Sequence, residues 1–226
     1  AGPKSREVLQ KITDTDLSNE NFKWLTGKSI NVGYAQAEAL RVNFVGELGW
    51  ELHHPIEMQN YIFDELMKAG AEFDIKPFGI RAMDCMRLEK SYRLIPREMS
   101  IEYSALESGL DRFVKLDKDC DFVGKAGLQA WQERGFDNTF VTLEVHDITD
   151  ADARGSEGLY SHGDLVGRAT SGGFGFRVNK SLALGLVKTA FAIEGTELEI
   201  EILGQKHRAT VIAESAFDPD NKALRS

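Results

Sequence analysis

Phe44, Glu47, Trp50 and Glu51 lie close together in one stretch of the chain, LRVNFVGELGWELHHP, from Leu40 to Pro55. Two aromatics and two carboxylates at this spacing can hold a flat heterocycle. The rings stack on its face while a carboxylate accepts from its N–H edge. The same residues also suit an ordinary hairpin with a solvated acidic turn, and spacing alone leaves both readings open. Leu40, Val42 and Phe44 alternate with Arg41 and Asn43, which predicts a half-buried strand with Arg41 and Asn43 facing out. Gly46-Glu47-Leu48-Gly49 would then turn tightly into a second short strand, Trp50 to His54, closed by Pro55.

Other chemistry-bearing residues are sparse. His53 and His54 are adjacent, so on a strand they point to opposite faces and make a poor metal site; no metal is expected. Cys85 and Cys120 are far apart and form no CxxC pattern, which favours a reducing compartment over disulfides or structural zinc. The run Ser171-Gly172-Gly173-Phe174-Gly175 fits neither a dinucleotide nor a phosphate loop, and a tight bend between strands accounts for it better. There is no GxSxG elbow. No catalytic residue is assigned.

These residues sit in a chain of 226 residues, 42% hydrophobic and 28% charged, long enough for one large or two small domains. Its 27 basic residues against 36 acidic ones give a net charge of −9. That balance argues against a general nucleic-acid or anionic-membrane surface, though not against a small anionic ligand. No apolar run approaches the ~18 residues of a membrane span, and AGPKSREVLQKI lacks the core of a secretion signal. The chain starts abruptly within what reads as a helix, as a piece of a longer protein would.

Periodicity supplies the elements. Helices are predicted over Pro3–Ile12, Glu57–Ala69 with Gly70 as the stop, Gly79–Tyr92, and Phe122–Arg134. Ser29–Gln36 reads as one strand, and Phe113-Val114 as strand-like. Beyond Asn138 short strands follow one another, including Phe140–Leu143, Leu182–Val187, the strictly alternating Glu197–Ile202, and His207–Ala213. Turns fall at His162-Gly163-Asp164 and Gly204-Gln205. This texture predicts an α+β domain over residues 1–135 and a small antiparallel barrel or sandwich over 136–226.

Several segments, in order along the chain, resemble the folate-dependent aminomethyltransferase family of the glycine cleavage T-protein. They are GPKSREVLQKI with TDTDLS, FVGELGWELHHP, GIRAMDCMRLEKSYR, ALESGLDRFVKLDK, DFVGKAGL, and the ending VNKSLALGLV…AFDPDNKALRS. The variants EKSYR, GRATSGGFGF and FDPDNKALRS look most like the C-terminal portion of dimethylglycine and sarcosine dehydrogenase-type proteins, in which a flavin domain precedes the folate unit. The resemblance implies an incomplete folate-binding domain followed by a small antiparallel β-barrel. It further implies binding of tetrahydrofolate and transfer of a one-carbon unit to it from an N-methyl amino acid such as dimethylglycine or sarcosine.

By the same resemblance Glu51 would hold the amino-pyrimidine edge of the pterin, Phe44 would stack beside it in place of a family tyrosine, and Tyr92 would lie near the folate. Glu47 becomes structural. Met83 stands where the family carries an arginine of the folate site, and neither Arg81 nor Arg87 need replace it. The family's catalytic aspartate and the dinucleotide glycine motif of the flavin domain belong to upstream sequence, so FAD would be bound only there. The expected partners are folate and that N-terminal half or flavin domain, with no nucleic acid and no membrane. The expected location is the cytoplasm, or the mitochondrial matrix in a eukaryote. Alternatives of the same fold are a folate-dependent dimethylsulfoniopropionate demethylase and a non-catalytic regulatory module.

Overall fold

A computed structural model describes residues 1–148 and 150–226. Packing divides the chain into two units, Ala1–Arg87 together with Asp218–Ser226, and Leu88–Phe217.

In the first unit the alternation AQAEAL builds the central strand. Ala35, Ala37 and Ala39 are buried while Gln36 and Glu38 face solvent, as a sheet with one covered face requires. This strand, β2 (Ala35–Leu40), lies between β1 (Gly27–Val32) and β3 (Glu51–His53), antiparallel to both. The single strand predicted over Ser29–Gln36 is therefore a hairpin, broken at Gly33-Tyr34. Gly33 has φ +59, and a Cβ there would sit 2.0 Å from the Tyr61 hydroxyl oxygen, so the turn requires glycine for both conformation and space. Helices α1 (Ser5–Gln10) and α2 (Gln59–Gly70) contribute Leu9 and Ile62 to a core that includes Leu17, Phe22, Ile30 and Val32. After Gly70 a 3₁₀ turn carries the chain to Asp74, and the left-handed residue is Asp74 (φ 55), not the glycine. Helix α3 (Ile80–Glu89) crosses the boundary between units, and the short α5 (Lys222–Arg225) brings the chain back into the first unit.

The second unit holds α4 (Lys125–Arg134) and six strands: β4 (Asn138–Val145), β5 (Gly158–Ser161), β6 (Asp164–Gly175), β7 (Lys180–Lys188), β8 (Glu197–Ile202) and β9 (Gln205–Ile212). All pairings are antiparallel, and the order β4-β7-β6-β5-β8-β9 closes on itself as a barrel. Closure leaves no free edge. Leu143, Leu159, Ile200 and Val211 are among the side chains that fill it. Two elements differ from expectation. The glycine-rich run is not a bend but the last five residues of β6, where Gly172 lets the strand lie against Ala153: an added Cβ would meet that carbonyl oxygen at 2.4 Å. Asp111–Phe113 is a 3₁₀ turn with Phe113 largely exposed, so no strand forms there.

The segment from Glu89 to Ser108 is unusual in burying charge. Glu98 is fully buried, and accepts from the hydroxyls of Thr170 (2.6 Å) and Ser171 (2.5 Å) and from the Leu94 amide (2.9 Å). Arg93 donates to the carbonyls of Ser91, Ser108 and Gly109 and to both oxygens of Glu214, while its guanidinium lies 3.8 Å from the centre of the Phe140 ring. Glu89 accepts from the Arg177 amide at 2.7 Å and pairs with the Arg177 side chain. Each buried charge is thus matched by donors or acceptors, which is the condition for tolerating it away from water. Among the described residues no helix is long and apolar enough to cross a membrane.

Candidate ligand loop

The two strands predicted around the Gly46–Gly49 turn do pair, with Leu40 opposite Glu51, but β2 ends at Leu40 and β3 begins at Glu51. Residues 41–50 are an irregular connection. The alternation of Leu40, Val42 and Phe44 had placed Arg41 outside; Arg41 is instead only 2% exposed. The reason is visible in its partners. Its Nη1 donates to the Phe22 carbonyl at 2.6 Å and its Nη2 to the Ser226 carbonyl at 3.3 Å, so both terminal nitrogens are hydrogen-bonded inside the unit, while Nε is buried without a partner. Burial, with a smaller contribution from the nearby Arg6 charge, draws its pKa below the usual arginine value.

Asn43 shapes the rest of the loop. Its side-chain oxygen accepts from the amides of Val45 and Gly46 at 2.9 Å and of Glu47 at 3.3 Å. An Asn folding back onto the following amides is a turn-forming device, and here it reverses the chain. Val45 and Leu48 then drop into the interior, and the Leu48 carbonyl accepts from the Ser5 hydroxyl at 2.9 Å. Trp50 packs edge-on against Phe22, ring centres 6.1 Å apart. The guanidinium carbons of Arg6 and Arg41 each lie 5.8 Å from its ring centre. Trp50 Nε1 and Asn43 Nδ2 are buried without a hydrogen-bond partner.

Glu51 opens β3 with an exposed side chain, one carboxylate oxygen lying 3.5 Å from His53 Nε2. Phe44 sits half-buried within the loop. Glu47 contributes its backbone amide to the Asn43 turn. Tyr92 lies beyond the end of α3 in the second unit, half-buried, with Lys90 Nζ 6.0 Å from its ring centre. Met83 is half-buried on α3, Arg81 is exposed, and Arg87 is fully buried, bonded through Nε to Asp84 Oδ1 at 2.6 Å. Among the described residues no group of three or more His, Cys, Asp and Glu side chains is placed to hold a metal ion. The loop thus offers an exposed carboxylate on a short strand, backed by an ordered turn. That arrangement suits acceptance of two parallel N–H bonds from a flat ring.

Sequence reasoning missed Arg41 and Asn43, the residues that hold the loop. For Asn43 a signal existed: an Asn preceding a Gly-containing break is a turn former.

Comparison with known proteins gives two family matches in chain order. Residues 1–118 match the GCVT N-terminal domain, and residues 138–218 match the glycine cleavage T-protein C-terminal barrel domain. Human mitochondrial dimethylglycine dehydrogenase is 40% identical over 95% of this chain, which covers 25% of that protein. Mouse mitochondrial sarcosine dehydrogenase is 33% identical over 99% of the chain, again covering 25%. An aminomethyltransferase of Thermoanaerobacter sp. (strain X514) is 33% identical over 98% of the chain, which covers 59% of it. The chain therefore spans about a quarter of the length of the dehydrogenases it matches. The crystal structure of glycine cleavage system aminomethyltransferase T from Bartonella henselae superposes with a TM-score of 0.81 over 94% of this chain and 56% of that one, at 23% identity, and so shares the fold.

Proposed function

Since the chain belongs to the glycine cleavage T-protein family of aminomethyltransferases, we propose that it is the tetrahydrofolate-binding part of a demethylating enzyme. That enzyme passes a one-carbon unit to tetrahydrofolate from an N-methyl amino acid of the dimethylglycine or sarcosine type. The observation that carries this reading is the exposed Glu51 at the mouth of a loop ordered by Asn43. In it Glu51 accepts from the amino-pyrimidine edge of the pterin and Phe44 stacks on the ring. The identity to dimethylglycine dehydrogenase favours that donor class. FAD, in this reading, belongs to a domain upstream of the folate unit, and no residue of this chain is assigned to it. Arg87 does not stand in for the arginine absent at Met83, because it is buried and bonded to Asp84.

Calorimetric titration of tetrahydrofolate tests the proposal, using the protein in its native full-length polypeptide and, in parallel, residues 1–226. Binding with one site per chain supports it. Absence of binding in both, with circular dichroism showing both folded, overturns it in favour of a non-catalytic module of the same fold. Once binding is established, turnover of dimethylglycine, sarcosine and dimethylsulfoniopropionate by the full-length protein identifies the donor.

A further inference from the structure

Residues 218–226 leave the barrel unit and pack within the first one. Both Asp218 carboxylate oxygens accept amides of α5, from Lys222 and Ala223 at 2.9 Å each, which fixes the start of the helix. Leu224 is buried at 3% exposure. Arg225 stacks its guanidinium 4.7 Å from the Trp24 ring centre, and its carbonyl accepts from Asn19 Nδ2 at 3.2 Å. The next carbonyl, that of Ser226, receives two guanidinium groups: Arg6 Nη2 at 2.8 Å and Arg41 Nη2 at 3.3 Å.

Those same two arginines flank Trp50. Arg41 and Trp50 are the first and last residues of the 41–50 connection, and Trp50 precedes Glu51. Two like charges held near one indole repel, and a buried guanidinium that loses an acceptor is left with an uncompensated donor. The Ser226 carbonyl offsets both effects, so its presence favours one placement of Arg41 and hence of the loop ends. Resting on the folate reading above, we propose that Asp218–Ser226 is a latch: it sets the span of the 41–50 loop, with Arg41 as the positioning residue, and so places Glu51 for the ligand.

Fluorine NMR of the full-length protein labelled with 5-fluorotryptophan reads this directly. The Trp50 resonance is assigned by Trp50→Phe, and Trp131 on α4 serves as an internal control in the other unit. Leu224→Ser and Arg225→Ala loosen the latch without touching the loop. Each is expected to shift or broaden the Trp50 signal, leave Trp131 in place, and raise the tetrahydrofolate Kd about tenfold, the scale of penalty for a ligand group held out of position. Arg41→Met should do the same. Combined with Leu224→Ser it should add little, since both act on one contact chain. An unmoved Trp50 in both tail variants overturns the latch, and so does a moved Trp50 with an unchanged Kd. If the parent protein binds no tetrahydrofolate, the folate reading fails by itself, and the Trp50 signal alone decides whether the latch exists.

Discussion

Replacing Glu51 by Gln keeps the length of the side chain and removes its charge, so the variant isolates the charge-assisted part of the contact. Tetrahydrofolate binding should weaken by about 1–3 kcal/mol, with folding unaffected because the side chain is exposed. An affinity equal to the parent's in calorimetry would remove Glu51 from the site. Arg93 predicts the opposite pattern. It is buried, bonds three carbonyls and a carboxylate, and lies on Phe140. Arg93→Met should lower stability by roughly 2–4 kcal/mol in urea denaturation, since each carbonyl loses its donor; a loss under about 0.5 kcal/mol would contradict this. At this scale the sequence was only partly legible. Glu51 was one of four suggestive residues with Phe44, Glu47 and Trp50, and only the family resemblance singled it out. Arg41 did not stand out, because alternation assigns polar residues to solvent and says nothing of a carbonyl waiting inside.

Among the elements, helices were easier to foresee than the ends of strands. The stripes on α2 and α4 and the strict alternation in β8 carry their period in the side chains themselves. Gly33 and Gly172 show what periodicity leaves out. At Gly33 the hairpin turn needs a left-handed residue with Tyr61 overhead, whereas at Gly172 the strand runs on and the glycine only makes room for Ala153. A glycine in the sequence looks the same in both cases. Gly33→Ala should cost about 1–3 kcal/mol, from positive φ and the collision with Tyr61. Gly172→Ala should lower the melting temperature by forcing β6 away from the Ala153 carbonyl. Either variant melting at the parent's temperature would contradict the packing described. The turn at residues 16–21 gives a pH test. Hydrogen bonds from the Ser18 amide (2.8 Å) and the Asn21 side chain (2.6 Å) hold the Asp16 carboxyl below its ordinary pKa. Its folded pKa being depressed, the turn is intact above the ordinary carboxylate range and loosens only as pH falls through the lowered value. An NMR titration should show the Ser18 amide moving at a pH below that of free aspartate.

For the molecule as a whole, the two units differ in how their sheets end. The barrel has each strand paired on both sides, while β1 and the three-residue β3 are edges. Hydrogen exchange should accordingly be slowest in β4, β6 and β7 and fast in β3, where local opening costs least; a β3 as protected as β7 would be inconsistent with this topology. The change of texture after residue 135 was plain in the sequence; the family matches cover residues 1–118 and 138–218, and packing divides the chain elsewhere, after Arg87 and after Phe217. The sequence did not make plain that the final residues rejoin the first unit, because a nine-residue tail carries too short a pattern to reveal its partner. That return has a consequence for biosynthesis. A ribosome releases the N-terminal unit's sheet and helices first, yet their last packing partners emerge only after the entire barrel has been made. At about 5–20 residues per second, the partly formed unit waits roughly seven to thirty seconds for α5, with Arg41 short of one of its acceptors. During that interval the nascent chain is the form most exposed to chaperones and proteases.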